Sequence, residues 1–281
     1  MTKGFLLARW SQPGLNWGDS LNPYLIQKLS KKKVYNVLYP RVNFFKVTQR
    51  LRVTNKPEYI VVGSVLSWGH FRDGVAEVWG AGFMSAAGRV KYKPKAIHAV
   101  RGELSRELLI KQGISCPKVF GDPALIMPYI YKPDIKTSSN LVGVIPHYVD
   151  KPFFSGENYP QDENLKVIDI EQDTESFIDQ VMECGVVLSS SLHGLIVADA
   201  YGIPSRRVVF SNNISGGDFK FRDYYSGIGH EYVPPLKVDQ ISALYDIAGG
   251  CETHSISKDA LSLLLRACPF LSLDSSLRDF I

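Results

Sequence analysis

The chain has 281 residues, 45% of them hydrophobic and 21% charged, a balance that suits a folded chain with a sizeable core and excludes a disordered or fibrous one. Its length predicts two domains, with one large domain as the alternative. Lysine and arginine number 32 against 28 acidic residues, and a net charge of +4 is too small a surplus for a nucleic-acid binder, though it leaves room for a basic cleft that takes an anionic small molecule.

The first apolar run, within 4–10, is too short for a signal peptide and is stopped by Arg9; it reads as a first strand. Turn residues follow, and Asp19 or Ser20 is placed to cap a helix over 20–30, where Leu21, Tyr24, Leu25 and Leu29 share a face. A short strand is expected at 34–38 and a helix over 42–54. Apolar strands then recur at 58–66, 75–83, 95–102 and 118–126, with a helix over 103–112 that Gly113 ends. The segment 131–140 is polar and carries one proline, which makes it the linker candidate. Alternation restarts with strands at 140–148, 164–170, 184–190 and 206–210 and helices over 174–182 and 192–201. Residues 211–229 look too polar and glycine-rich for a core and read as a long loop with a short helix in it. Helices over 238–248 and 257–268 finish the pattern, and Pro269 ends the second.

Continuously apolar strands with helices between them predict an α/β protein with parallel sheets covered on both faces. No stretch has the roughly 18 apolar residues that a membrane span needs. Cys116, Cys184, Cys251 and Cys268 are too scattered for a zinc site and read as free thiols of a cytoplasmic protein.

In parallel sheets the C-terminal strand ends face one crevice, so the polar residues that follow strands are the site candidates. Asn16, Gly18 and Asp19 follow the first strand, Gly63 and Ser64 a later one, and Gly80 and Gly82 the next. Arg101 ends a strand, and Gly121 and Asp122 follow another. Pro146 and His147 end a strand of the second half; Ser189, Ser190, Ser191 and His193 end its neighbour. The glycines either permit turns or let backbone N–H groups approach an anion; Asn16, Asp19 and Asp122 either cap turns or line the crevice. Neither glycine-rich nucleotide fingerprint is present. His193 is the sharpest candidate, because a histidine in a first helical turn can move protons near neutral pH. Arg101 is placed equally for an ion pair or an anion. Arg206 and Arg207 read as structural. Lys220, Arg222 and Asp223 read as a charged loop that is either solvated or a wall of the site. Trp10, Trp17, Trp68, His70, Phe71 and Trp79 gather near strand ends, where they suit a sugar or a core equally.

In order and spacing, NWGDSLNPYL (16–25), GSVL (63–66), WGAGF (79–83), VRGELSRELL (100–109), GDPAL (121–125), VIPHY (144–148), SSSLHGLIVADAYGIP (189–204) and KFRDYY (220–225) resemble the polysaccharide pyruvyl transferase family, more narrowly its bacterial exopolysaccharide and capsule branch. The resemblance implies two Rossmann-like lobes, over 1–133 and 140–281, arranged as in glycosyltransferases of type B. It implies transfer of pyruvate from phosphoenolpyruvate to two sugar hydroxyls, with a cyclic ketal and phosphate as products, no cofactor and no metal. It also implies a lipid-linked oligosaccharide or polysaccharide repeat unit as acceptor, handled at the inner face of the cytoplasmic membrane; the charge permits peripheral contact there.

The functional histidine of the family falls on His193, the expected general acid, and the early Asn-x-Gly-Asp segment on Asn16, Gly18 and Asp19. Asp19 or Asp122 is then available to take a sugar proton. Other branches carry an arginine two residues before the histidine. Here that position is Ser191, which leaves Arg101, Lys220, Arg222 or the backbone amides of 191–193 to hold the anion. Gly63, Ser64, His147 and Ser190 complete the expected binding set. A nucleotide-sugar-dependent glycosyltransferase and a non-enzymatic glycan-binding protein are the alternatives.

Overall fold

The computed structural model describes residues 4–11, 16–38, 56–69, 73–156, 159–214, 216–272 and 277. The helix expected over 42–54, and His70 and Phe71, lie outside them.

Two five-stranded, wholly parallel sheets form the frame. The first contains β1 (Phe5–Ala8), β2 (Lys33–Asn36), β3 (Glu58–Ile60), β4 (Ala76–Trp79) and β5 (Ala96–Ala99), in the order β2-β1-β3-β4-β5. The second contains β6 (Ser138–Ile145), β7 (Leu165–Val167), β8 (Cys184–Ser189), β9 (Ser205–Val209) and β10 (Leu236–Lys237), in the order β10-β9-β8-β6-β7. These are one topology used twice. In each sheet the first strand lies between the second and the third, so the chain leaves its first strand toward one edge and later returns to build toward the other. That reversal opens a crevice above the C-terminal ends of the first and third strands: β1 and β3 in one sheet, β6 and β8 in the other.

Helix α1 (Trp17–Ser30) begins earlier than the sequence pattern suggests. The side chain of Asn16 accepts from the Gly18 N–H at 3.1 Å and caps it, which frees Asp19 from capping. Leu21, Leu25 and Leu29 are fully buried, as their spacing requires. Pro23 has no N–H for the Asp19 carbonyl four residues back. Asn22 Nδ2 donates to that carbonyl instead, at 3.2 Å, and also exchanges hydrogen bonds with the backbone of Val62 beyond β3. One side chain therefore repairs the helix and fixes it to the sheet.

Helix α2 (Glu103–Lys111) follows β5. The expected strand at 118–126 is reduced to a single bridge between Val100 and Phe120. Asp122 then caps a 3-10 turn, Pro123–Tyr129, by accepting from the Ala124 N–H. Helices α3 (Thr174–Glu183) and α4 (Leu192–Ala200) belong to the second sheet.

The short helix expected within 211–229 is present as α5 (Phe219–Ile228), but it is not a surface element: Phe221, Asp223 and Tyr224 are fully buried. Its polarity is matched internally. Asp223 pairs with Arg101 and accepts from both the N–H and the hydroxyl of Ser105.

The last two helices among the described residues are α6 (Ala243–Ala248) and α7 (Lys258–Arg266). Helix α7 returns to the first sheet: Trp79 Nε1 donates to the Leu264 carbonyl at 2.8 Å, and Phe270 packs edge-on against Tyr59 and Trp79. Of three hydrophobic clusters among the described residues, one runs from α1 through Ile170 and Phe177 to Leu195 and Leu264. Among the described residues no helix is long and apolar enough to cross a membrane, and all four cysteines are free thiols.

Candidate active site

The two crevices open onto one cavity of about 220 Å³. The segment after β1 brings Ser11, Asn16 and Asp19 to it, and the segment after β3 brings Gly63 and Ser64. The second sheet supplies His147 and Tyr148 after β6, and Ser191, Leu192 and His193 after β8. Lys220 reaches in from α5, and Trp68 and Met84 complete the wall. The lining thus comes from the ends of the four strands that flank the two reversals, with α5 added.

His193 sits in the first turn of α4 and is 7% exposed. Gly18 lies so close that a Cβ there would overlap the imidazole, so only glycine lets α1 start beside the ring. Gly63, at φ +121°, holds a backbone conformation that side chains disfavour. Ser191 offers no side-chain cap to α4, which leaves the first-turn N–H groups of that helix for a ligand.

Lys220 is 6% exposed, and its ammonium lies 5.3 Å from the centre of the Phe221 ring and makes no ion pair among the described residues. Burial, with Arg101 and Arg207 nearby, lowers its pKa to about 8. Burial, Lys220 and His193 lower that of His147 to about 4. Asp19 is shifted the other way: burial raises its pKa against the opposing pull of His193 and the Ser11 N–H. The cavity therefore combines a buried cation that makes no ion pair among the described residues, a largely neutral histidine and a carboxylate with raised proton affinity.

Other expected site residues lie behind this lining. Arg101 is fully buried; its partner is Asp223 and not the nearby Glu103. Its Nη2 also donates to the Phe83 carbonyl, and its Nη1 donates to Ser64 Oγ at 2.7 Å, so it reaches the cavity only through Ser64. Ser190 is buried between the Asp150 carboxylate, to which it donates at 2.6 Å, and the His147 N–H, from which it accepts at 2.8 Å. It shapes the turn after β6. Arg222 is exposed and off the lining. Asp122 is fully buried behind His193, their closest atoms 3.8 Å apart. Of the three basic side chains considered for the position left by Ser191, Lys220 alone lines the cavity.

Trp17 and Trp79 are core residues with no exposure; Trp68 is the tryptophan on the cavity wall. Sequence reasoning missed Ser11, Met84 and Tyr148 as lining residues and Asp150 as a support. Tyr148, next to His147, carried the only usable signal, its place just past a strand end.

Paired parallel sheets whose crevices share a histidine, a buried ammonium and a helix N-terminus define a two-sheet α/β protein with an anion-receptive site. The chain belongs to the polysaccharide pyruvyl transferase family, whose profile matches residues 16–212. That range includes every strand-end residue named above except Ser11, and stops short of Lys220. The family places the chain among transferases. The chain is also 30% identical over 224 residues to an uncharacterized protein, L143, of Acanthamoeba polyphaga mimivirus, an alignment covering 77% of this chain and 72% of that protein. These matches speak for the family as a whole and for no branch within it.

Proposed function

We propose that this protein transfers pyruvate from phosphoenolpyruvate to two hydroxyls of one glycan sugar residue, forming a cyclic ketal and releasing phosphate. The observation that carries this reading is the buried, unpaired ammonium of Lys220 in the same cavity as His193 and the uncapped first turn of α4. A buried cation that makes no ion pair is costly, and a small dianion relieves that cost. The amides of α4 supply neutral donors for its second anionic group.

In this reaction His193, as the imidazolium, gives a proton to the methylene carbon of the enol phosphate. The first sugar hydroxyl adds to the neighbouring carbon and loses its proton to Asp19. The carbon–oxygen bond to phosphate then breaks, and the second hydroxyl closes the ring. Of the two hydroxyl protons released, one replaces the proton given to carbon and the other leaves on phosphate. Asn16, Gly63, Ser64, Ser191 and His147 hold the two substrates, Gly18 makes room for the imidazole, and Trp68 and Tyr148 offer flat rings to a sugar.

A lipid-linked repeat unit as acceptor, work at the inner face of the cytoplasmic membrane, independence from metal and a lobe arrangement like that of type B glycosyltransferases belong to the same reading. Incubation with phosphoenolpyruvate and a panel of lipid-linked or surrogate glycosides tests it. Phosphate release with a matching pyruvate ketal on the glycan, seen by mass spectrometry, is expected. Transfer of sugar from a nucleotide donor with no use of phosphoenolpyruvate sinks the reading. His193→Ala is expected to lower turnover at least ~100-fold, the scale of lost acid–base catalysis; a loss below about tenfold removes the histidine from that role.

A further inference from the structure

His193 has one ring nitrogen shut off from solvent. Its Nε2 is buried and has no hydrogen-bond partner, and so is Asp122 Oδ2, 3.8 Å away. The other carboxylate oxygen, Oδ1, is occupied by the Ala124 N–H at 3.0 Å. Asp122 is thus held by its own turn, with its free oxygen aimed at the imidazole. Two buried polar atoms left unpaired are costly, and the remedy for both is the same contact. The gap exceeds a hydrogen bond by about 1 Å.

We infer that Asp122 is the positioning residue of His193: its Oδ2 accepts a hydrogen bond from Nε2–H and so directs Nδ1 at the reacting carbon. The aspartate comes from the first half of the chain and the histidine from the second. This arrangement replaces the expectation that Asp122 itself takes a sugar proton, because its carboxylate does not line the cavity and that of Asp19 does. In the reaction the proton on Nδ1 passes to the methylene carbon, while Nε2 keeps its own proton and Asp122 keeps its charge. The neutral ring, already in the correct tautomer, then takes a proton back at Nδ1. The other charged or titratable groups that share the cavity with the ring are Asp19 from α1, His147 after β6 and Lys220 from α5.

The catalytic part of this inference rests on the proposed function, whereas the pairing does not. Nitrogen-15 spectra of histidine-labelled, unliganded protein report the tautomer of His193 directly, with His193→Gln used to assign its signals. Protonation at Nε2 in the neutral form is expected; protonation at Nδ1 overturns the inference, whatever the protein catalyses. The second measurement uses Asp122→Asn, which retains an oxygen for the Ala124 N–H but removes the charge. At saturating phosphoenolpyruvate its kcat is expected to fall about 100-fold or more, as when a histidine loses the carboxylate that sets its tautomer, with KM changed less than about twofold. The alkaline limb of its kcat profile is expected to move to lower pH. An unmoved limb overturns the inference, and an Asp122→Asn protein that does not fold leaves the tautomer measurement to decide. Wild-type protein that fails to consume phosphoenolpyruvate sinks the proposed function but not the pairing.

Discussion

Lys220 governs how the cavity responds to pH. With a pKa of about 8 it is mostly charged at neutral pH and loses that charge just above it. A bound dianion favours the charged form, so phosphoenolpyruvate affinity is expected to weaken as pH rises past 8. Lys220→Met should raise KM for phosphoenolpyruvate at least about tenfold at neutral pH and flatten that dependence, with kcat changed far less. Equal loss in the KM of donor and acceptor would place the lysine outside the anion pocket. His147 acts on stability. Its folded-state pKa is about 4 against an ordinary 6.5, so between those values the unfolded chain binds the proton and the folded chain does not. Stability is therefore expected to hold above pH 6.5 and to decline as pH falls toward 4. Urea unfolding across that range checks it, and His147→Gln should lessen the slope. His193 was legible in the sequence because it follows an apolar strand and opens a helix. The burial of Lys220 was not, since it depends on a partner for Asp223 that is 122 residues away.

At the scale of elements, the short helix expected within 211–229 is present as α5, and what sequence reading missed is its burial. KFRDYY is polar by composition, yet Lys220, Phe221, Asp223, Tyr224 and Tyr225 are all buried. Composition judges residues singly, whereas Asp223 is buried at tolerable cost only because Arg101 and Ser105 meet it. Removing one partner of such a pair leaves a buried charge uncompensated. Arg101→Ala is accordingly expected to destabilise the protein by about 3–5 kcal/mol, measured by urea denaturation. A loss under about 1 kcal/mol, the range of exposed pairs, would mean that the pair is not the anchor of α5. The start of α1 was misplaced by three residues for a simpler reason. Asn16, Asp19 and Ser20 are all good caps, and what decides among them is the room Gly18 leaves for a ring from the other half of the chain.

At the scale of the molecule, the apolar runs marked the strands and their parallel sense well. They did not reveal strand order, because a buried strand reads alike wherever it lies in its sheet. The shared order of the two sheets is what places the four site-forming strand ends together. One hydrophobic cluster also spans both halves, and Trp17 ties them by donating from its backbone to Ile170 and from its indole to Thr174. The two halves should therefore unfold together. Circular dichroism and tryptophan fluorescence are expected to trace one coincident denaturation curve, and separate midpoints would show that the lobes hold independently. The return of α7 to Trp79 has a further consequence during synthesis. Roughly the first half of the chain leaves the ribosome before its cover has been translated, and Tyr59 and Trp79 stay bare until the last-made helix and Phe270 arrive. The N-terminal sheet is the first to be made and the last to be finished, and a nascent chain halted before residue 258 presents exposed aromatic surface to chaperones.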